Sequence, residues 1–202
     1  MLRGAIALTV LTALTAPVFA DDKLKALDET DEDYEKHQGQ VGLHVKVGTG
    51  YRAIFRDADE YCGKTGEDLC NERAPVHMEL GVAYRLLERL EAFFEVRVGL
   101  ERDFGASATE RGARTRAYMP GLKVYFKDAG TAKFWSSLAF CVDTTHYPQK
   151  PETDYGVKLT NAFQFDPHRT FGVFFYFGPV FAWQRWLRFE LEGGLGIQAR
   201  FP

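Results

Sequence analysis

The chain of 202 residues carries 25 lysine and arginine residues against 28 aspartate and glutamate residues, a formal net charge of −3 at pH 7. This near balance, without a basic stripe or an aromatic and basic platform, argues against a nucleic-acid partner. After residue 20, no run approaches the roughly 20 consecutive apolar residues that a membrane-spanning helix needs.

The first 20 residues have the pattern of an export signal. Arg3 is followed by an apolar run over 5–15, by Pro17 and by a small-residue motif that ends at Ala20. A cationic start, an apolar centre and a small-residue end are typical of a cleaved signal peptide, which we predict at residues 1–20. The rival interpretation, a membrane anchor, needs about 20 apolar residues, more than this run supplies.

Residues 21–39 form a strongly acidic segment. Eight carboxylates stand against three lysines, which gives this segment a net charge of −5. With so few apolar groups it cannot bury enough surface to offset the entropy lost on ordering. We therefore predict a disordered periplasmic leader at 21–39, and a docking or plug segment is the alternative.

From residue 40 to residue 202 the apolar residues recur at every second position, which predicts β-strands. In the first strand the apolar residues Val41, Leu43, Val45 and Val47 alternate with Gly42, His44, Lys46 and Gly48. Eight such strands are predicted, each long enough for the 9–11 or so tilted residues that cross a bilayer. In the seventh strand, within 169–183, both faces are apolar, so its inward face stays open.

The connections between the predicted strands alternate in length. Long polar connections follow strands one, three and five, whereas short ones follow strands two, four and six. The connection between strands seven and eight is short where the pattern asks for a long one. Long loops on one rim and tight turns on the other are typical of membrane β-barrels with both termini on the side of the turns.

The polar face of the strands carries charges of both signs. The candidates for an interior charge network are His44, Lys46, Glu79, Arg85, Glu95, Arg97, Arg188 and Glu190. Eight strands leave an interior just wide enough for side chains to fill, and buried charges need partners. We therefore predict a closed, charged plug, and a small conducting channel is the alternative.

These features resemble the small outer-membrane barrels of the OmpA and OmpX type. The resemblance covers residues 40–202 and implies an all-β, eight-stranded antiparallel up-and-down transmembrane barrel in the outer membrane of a Gram-negative cell. It implies contact with outer-membrane lipid and lipopolysaccharide, and we expect a monomer. In that family the barrel-assembly machinery reads the terminal aromatic of the last strand, which implies this role for Phe201, although Pro202 follows it here.

A soluble, lipocalin-like periplasmic binding barrel is the alternative fold. Such a barrel has the same alternation, but its apolar face packs inward and its polar face meets water. The apolar face here is richer in aromatic and branched residues than a small core or a single-ligand cavity could hold, which favours the membrane barrel.

Cys62 and Cys70 lie eight residues apart in the first long connection. In an exported protein this spacing predicts a disulfide, which would contribute about 2–3 kcal/mol by the chain-entropy account. Metal binding is the alternative, but a third and a fourth ligand at zinc spacing are missing nearby. Cys141 is left over on the polar face of strand five, where we expect a small buried apolar residue.

Catalysis on membrane lipid is a further alternative. In the lipid A deacylase and palmitoyltransferase barrels a histidine acts with a serine and an acid, and the candidates here are Ser137, Asp143 and His146. Such a set needs mutual hydrogen-bond reach, and the deacylase's His-x-Ser pattern is missing. We expect no cofactor and no metal, and a structural or surface-recognition role through the loops rather than catalysis.

Pro120 and Pro179 lie inside predicted strands, where each removes a donor from the hydrogen-bond ladder. Such prolines mark a bulge or the end of a strand, whereas in the palmitoyltransferase family they open lateral gates for lipid.

Overall fold

The computed structural model describes residues 39–55, 58, 68–103, 113–129, 131–146, 153–168 and 170–201. The predicted signal peptide and, apart from Gly39, the predicted acidic leader lie outside these residues. Within the described ranges, no helix has the length and apolarity needed to cross a membrane.

Eight antiparallel strands form a closed barrel in chain order, which confirms the predicted up-and-down fold. The strands are β1 (Val41–Ile54), β2 (Cys70–Leu87), β3 (Leu90–Asp103), β4 (Ala113–Ala129), β5 (Ala132–Asp143), β6 (Asp154–His168), β7 (Phe171–Ala182) and β8 (Arg188–Phe201).

The barrel is closed by the pairing of β1 with β8. This ladder is continuous, from Val41 opposite Phe201 to Ile54 opposite Arg188. A closed sheet has no edge, so its backbone N–H and C=O groups are satisfied without water. The alternation of β8 therefore continues to Phe201 because every residue up to that point is part of the closing ladder.

Over the middle of the barrel wall, most apolar side chains point outward and the charged side chains point inward. Phe126, Phe163 and Leu195 are 59%, 60% and 68% exposed, whereas Lys46 and Glu79 are 3% and 0% exposed. The lipocalin-like alternative requires the opposite arrangement, with the apolar face inside, and is therefore wrong.

The structure decides the orientation of β7, whose two faces are both apolar. Val173, Phe175 and Phe177 point outward, whereas Phe174 and Tyr176 are buried inside. The inward rings join a cluster with Tyr125, Trp135 and Ala162. In this cluster the centroids of Trp135 and Phe174 lie 5.5 Å apart in an edge-on arrangement, so aromatic packing inside the barrel accounts for the extra apolar face of β7.

Short and long connections lie at opposite ends of the barrel. Residues 88–89, 130–131 and 169–170 join strands at one end, which we call the turn end. Residues 55–69, 104–112, 144–153 and 183–187 join strands at the other, which we call the loop end. As the sequence indicates, the connection between β7 and β8 is shorter than the other connections at the loop end.

Both strand prolines lie at interruptions of the ladder. Between β4 and β5 the pairing stops after Tyr118–Val142 and resumes at Gly121–Ala139, with Pro120 in the gap. Between β6 and β7 it stops at Lys158–Val180 and resumes at Asn161–Phe177, with Pro179 in the gap. Proline has no N–H to donate, but neither residue ends its strand, because both strands continue on either side.

The adjacent glycines Gly193 and Gly194 of β8 provide a test of the wall packing. A Cβ on Gly194 would lie 2.1 Å from the carbonyl oxygen of Val47, whereas a Cβ on Gly193 would lie 3.4 Å from its nearest neighbour, the carbonyl oxygen of Tyr176. We expect Gly194→Ala to lower the free energy of unfolding by about 1–3 kcal/mol through overpacking. We expect Gly193→Ala to change it by no more than about 0.5 kcal/mol.

Urea unfolding in lipid vesicles, followed by heat-modifiable gel mobility, measures both glycine variants. Equal destabilisation by the two substitutions would contradict the close contact between β1 and β8 at Gly194.

Candidate functional site

The structure places all eight interior-charge candidates inside the barrel. The buried candidates are His44, Lys46, Glu79, Arg85, Glu95, Arg97, Arg188 and Glu190. Two residues outside this candidate set, Lys158 and Glu192, are buried with them and make several of the shortest contacts.

A row of alternating charge crosses the first three strands. Lys46, Glu79 and Arg97 are cross-strand partners on β1, β2 and β3. Lys46 Nζ lies 2.8 Å from Glu79 Oε2, and Arg97 Nη2 lies 2.5 Å from Glu79 Oε1. The side-chain alternation of each strand, together with the register, therefore aligns opposite charges inside the barrel.

Two charged residues from other strands join this row: Glu192 from β8, which pairs with β1, and Lys158 from β6, which lies opposite β2 in the barrel. Lys158 Nζ lies 2.7 Å from Glu79 Oε1 and 2.8 Å from Glu192 Oε2. Arg97 makes a bidentate contact with the Glu192 carboxylate. Its Nη1 lies 2.5 Å from Oε1, and its Nη2 lies 2.7 Å from Oε2. The contact between Lys158 and Glu79 connects β6 with β2, so the network crosses the interior of the barrel.

Glu95 completes the charge balance of this level. Its Oε1 lies 2.7 Å from Lys46 Nζ and 2.7 Å from His44 Nε2. We define the central cluster as Lys46, Glu79, Glu95, Arg97, Lys158 and Glu192. It holds three carboxylates and three cations, so it carries no net charge, as a buried ionic group requires.

His77, Glu79 and Glu192 approach one another closely enough to share a metal ion. His77 Nε2 lies 3.7 Å from Glu79 Oε1 and 3.9 Å from Glu192 Oε2. The same two carboxylates already contact Lys46, Arg97 and Lys158, so their charge is compensated within the protein.

A second level of ion pairs lies towards the loop end. Arg52 Nε donates to Glu190 Oε2 at 3.0 Å, and Arg188 Nη2 donates to Asp143 Oδ2 at 3.4 Å. Asp154 Oδ1 accepts the backbone N–H groups of Gln184 and Arg185, each at 2.9 Å. These last bonds tie the short connection between β7 and β8 to β6.

A third level fills the turn end. Lys123 Nζ lies 2.5 Å from Glu91 Oε1 and 4.7 Å from the centroid of the Trp135 ring. Tyr125 Oη donates to Glu91 Oε2 at 3.3 Å and accepts from Arg200 Nη2 at 2.8 Å. Side chains therefore bridge the interior at three successive levels.

The three catalytic candidates do not form a site. Ser137 and Asp143 are six residues apart on β5, about 20 Å at 3.3 Å per residue, which is beyond hydrogen-bond reach. Asp143 instead accepts the backbone N–H of Thr145 at 2.8 Å and contacts Arg188. His146 is exposed, whereas Ser137 is buried. Ser137 and Asp143 therefore do not meet in the Ser-His-acid arrangement that the lipid-catalysis alternative needs.

The structure places Cys70, Cys141 and Phe201. Cys62 lies outside the described residues, so its disulfide with Cys70, the first residue of β2, stays a prediction. Cys141 is a free, buried cysteine that packs in a cluster with Ala83, Phe93, Met119 and Ala139. Phe201 is exposed on β8 opposite Val41, and its role in assembly stays a prediction.

Comparison with known proteins identifies the architecture. No protein-family model and no curated protein matches the sequence. Among solved structures, Neisserial surface protein A has a TM-score of 0.57 at 8% identity, covering 81% of this chain and 100% of that one. The chain has the fold of the small eight-stranded outer-membrane barrels.

Two further outer-membrane barrels have similar structures. The N-terminal β-barrel domain of OprF from Pseudomonas aeruginosa gives a TM-score of 0.54 at 9% identity, covering 81% of this chain and 98% of that one. Ail from Yersinia pestis, in complex with the heparin analogue sucrose octasulfate, gives 0.50 at 12% identity, covering 81% and 99%. At these identities the likeness establishes the fold.

Glu79 is the carboxylate with the most cationic partners in the central cluster, which makes it the sharpest test of the interior. We expect Glu79→Gln to lower the free energy of unfolding by about 3–5 kcal/mol, because it leaves buried cations uncompensated. The matched control is Glu101→Gln, at an exposed pair with Arg73, where solvent screens the charge and the change should be far smaller.

Urea unfolding of the two glutamine variants in vesicles, monitored by tryptophan fluorescence, measures both effects. Similar losses of stability for the two variants would show that the central cluster does not hold the interior together.

Proposed function

We propose that this protein is a barrel of the outer membrane with a closed interior, acting as a structural or surface-recognition protein through its loop end. The observation that carries this proposal is the apolar outer wall. Exposed leucine, valine, tyrosine and phenylalanine side chains occur on all eight strands. Monomeric soluble proteins rarely expose a continuous apolar surface of more than a few hundred Å², whereas lipid covers such a surface without cost.

The height of the apolar wall fits a bilayer. On β8 the exposed apolar residues run from Phe189 to Phe201, about 40 Å along a strand at 3.3 Å per residue. A tilt of about 45° reduces this height to about 28 Å, close to the apolar band of roughly 25 Å on outer-membrane barrels.

The interior contacts favour a plug over a channel. Lys158 of β6 contacts Glu79 of β2, on the opposite side of the barrel. Nearer the two ends, the side chains of Arg188 and Arg200 join β8 to β5 and to β4. An ion moving through would have to displace buried, paired charges, and separating such a pair costs several kcal/mol.

The long connections give the barrel its surface for recognition. They gather at the loop end, where rigid strands hold them, and loops on rigid scaffolds commonly carry binding function. We propose that the disulfide between Cys62 and Cys70 stiffens the first of these connections. The separation of Ser137 from Asp143 gives no support to lipid catalysis at that position.

The membrane location is tested by cell fractionation combined with heat-modifiable gel mobility. We expect the protein in the outer-membrane fraction, with a faster-migrating unheated form, because a closed barrel resists detergent until heated. Recovery of the protein in the soluble periplasmic fraction would contradict the proposed function.

The closed interior is tested by single-channel recording in planar bilayers. We expect no steady open current from the native protein. The double variant Lys158→Ala/Glu192→Ala removes one charge of each sign and so keeps the cluster neutral, but it opens space across the interior and should produce measurable current steps. The matched control, Arg73→Ala/Glu101→Ala, removes an exposed pair and should stay closed.

A steady current of porin size from the native protein would contradict the plug. Heat-modifiable mobility establishes that each variant is folded before it is recorded.

A further inference from the structure

Three arginines converge on the outer surface of the barrel at the loop end of β3 and β4. Arg102, Arg114 and Arg116 are exposed and lie on the outward face of their strands. Arg102 and Arg114 are direct partners in the ladder, and Arg116 is opposite Val98. We call these three residues the rim arginines.

Among the residues whose side chains the structure describes, no carboxylate pairs with a rim arginine. The hydrogen bonds of Arg116 in this region use its backbone N–H and C=O, with Thr145 and Thr144 as partners. The exposed carboxylate on the neighbouring part of β3, Glu101, is engaged by Arg73, whose Nη2 lies 2.6 Å from Glu101 Oε2. Glu101 also accepts the backbone N–H of Val76 at 3.1 Å.

Like charges directly opposite each other in a β-ladder are unfavourable. The pairing of Arg102 with Arg114 therefore contributes a repulsion that an anion between the two guanidinium groups would relieve. Water and salt reduce the repulsion, but a ligand that carries several negative charges on one rigid group would remove it and gain charge-assisted hydrogen bonds.

The rim arginines lie where the apolar wall ends. On the same outward faces, the next residues towards the middle of the barrel are Leu100 and Tyr118, which are among the exposed apolar side chains. An aromatic side chain at this position is typical of a membrane interface. At the turn end, the exposed Glu88 lies next to the exposed Arg89 in the chain.

We propose that the rim arginines bind the phosphate groups of an anionic lipid in the membrane leaflet at the loop end. This assignment rests on the proposed membrane location and adds a specific site to it. The planar guanidinium fork matches a phosphate with two parallel hydrogen bonds. The acyl chains of the same lipid would lie against Leu100 and Tyr118. One lipid molecule would then contact both the rim arginines and the apolar side chains beside them.

The test uses the purified full chain in detergent micelles, with native mass spectrometry to count bound lipid. The probes are bis-phosphorylated lipid A and the same lipid after removal of its phosphates. We expect the native protein to bind the phosphorylated form about tenfold more tightly or better, as charge-assisted hydrogen bonds allow. The triple variant Arg102→Gln/Arg114→Gln/Arg116→Gln should lose this preference.

Two control variants sharpen the result. Arg89→Gln removes an exposed arginine at the turn end and should keep the full preference. Replacing the three rim arginines with lysine keeps the charge without the planar fork, so it should keep part of the preference. Heat-modifiable mobility shows that each variant is folded, which we expect because the substituted side chains are exposed.

Two outcomes would overturn the assignment of lipid phosphate to this site. The first is an unchanged preference in the triple variant. The second is equally tight binding of a soluble polyphosphate, inositol hexakisphosphate, that the triple variant abolishes, because the ligand would then be a soluble anion. If the protein enters membranes but shows no phosphate preference, this inference alone fails, whereas absence from the membrane fraction contradicts the proposed function itself.

Discussion

The contact of Glu79 with three cations is the interaction on which the interior depends. Its carboxylate is fully buried and contacts Lys46 of β1, Arg97 of β3 and Lys158 of β6. A lone carboxylate in such a place would be strongly unfavourable, and so would each of the three cations. The central cluster therefore specifies one arrangement of the strands around it, because shifting any of them would leave a charge without a partner.

Closure of the eight-stranded wall also determines how the interior is filled. The ladder from Val41–Phe201 to Ile54–Arg188 removes the sheet edge, and eight strands then leave an interior that side chains can span. Since the outer face is apolar between its two rims, the charged side chains of that part of the strands point into the interior. Specific chemistry is consequently expected at the ends and on the outer rim, where side chains are accessible, rather than in the interior.

Part of the candidate site could be predicted from strand alternation alone. Alternation decides which residues share a face, and all eight interior-charge candidates are indeed buried inside. It does not decide which of them meet, because that depends on register and on contacts across the barrel. Lys158 and Glu192 belong to the central cluster because contacts across the barrel bring them to Glu79 and Arg97. Conversely, Ser137 and Asp143 share a face of one strand, but the extended backbone keeps them about 20 Å apart.

The sequence by itself determined the strand number, the inward and outward faces of most strands and the asymmetry of the connections, because these follow from a local period of two. Only the tertiary structure decided the orientation of β7, since both of its faces are apolar and packing around Trp135 selects one of them. It alone placed Arg102 opposite Arg114 as well. The two belong to different strands, and the interrupted register between β3 and β4 aligns them, which no local pattern records.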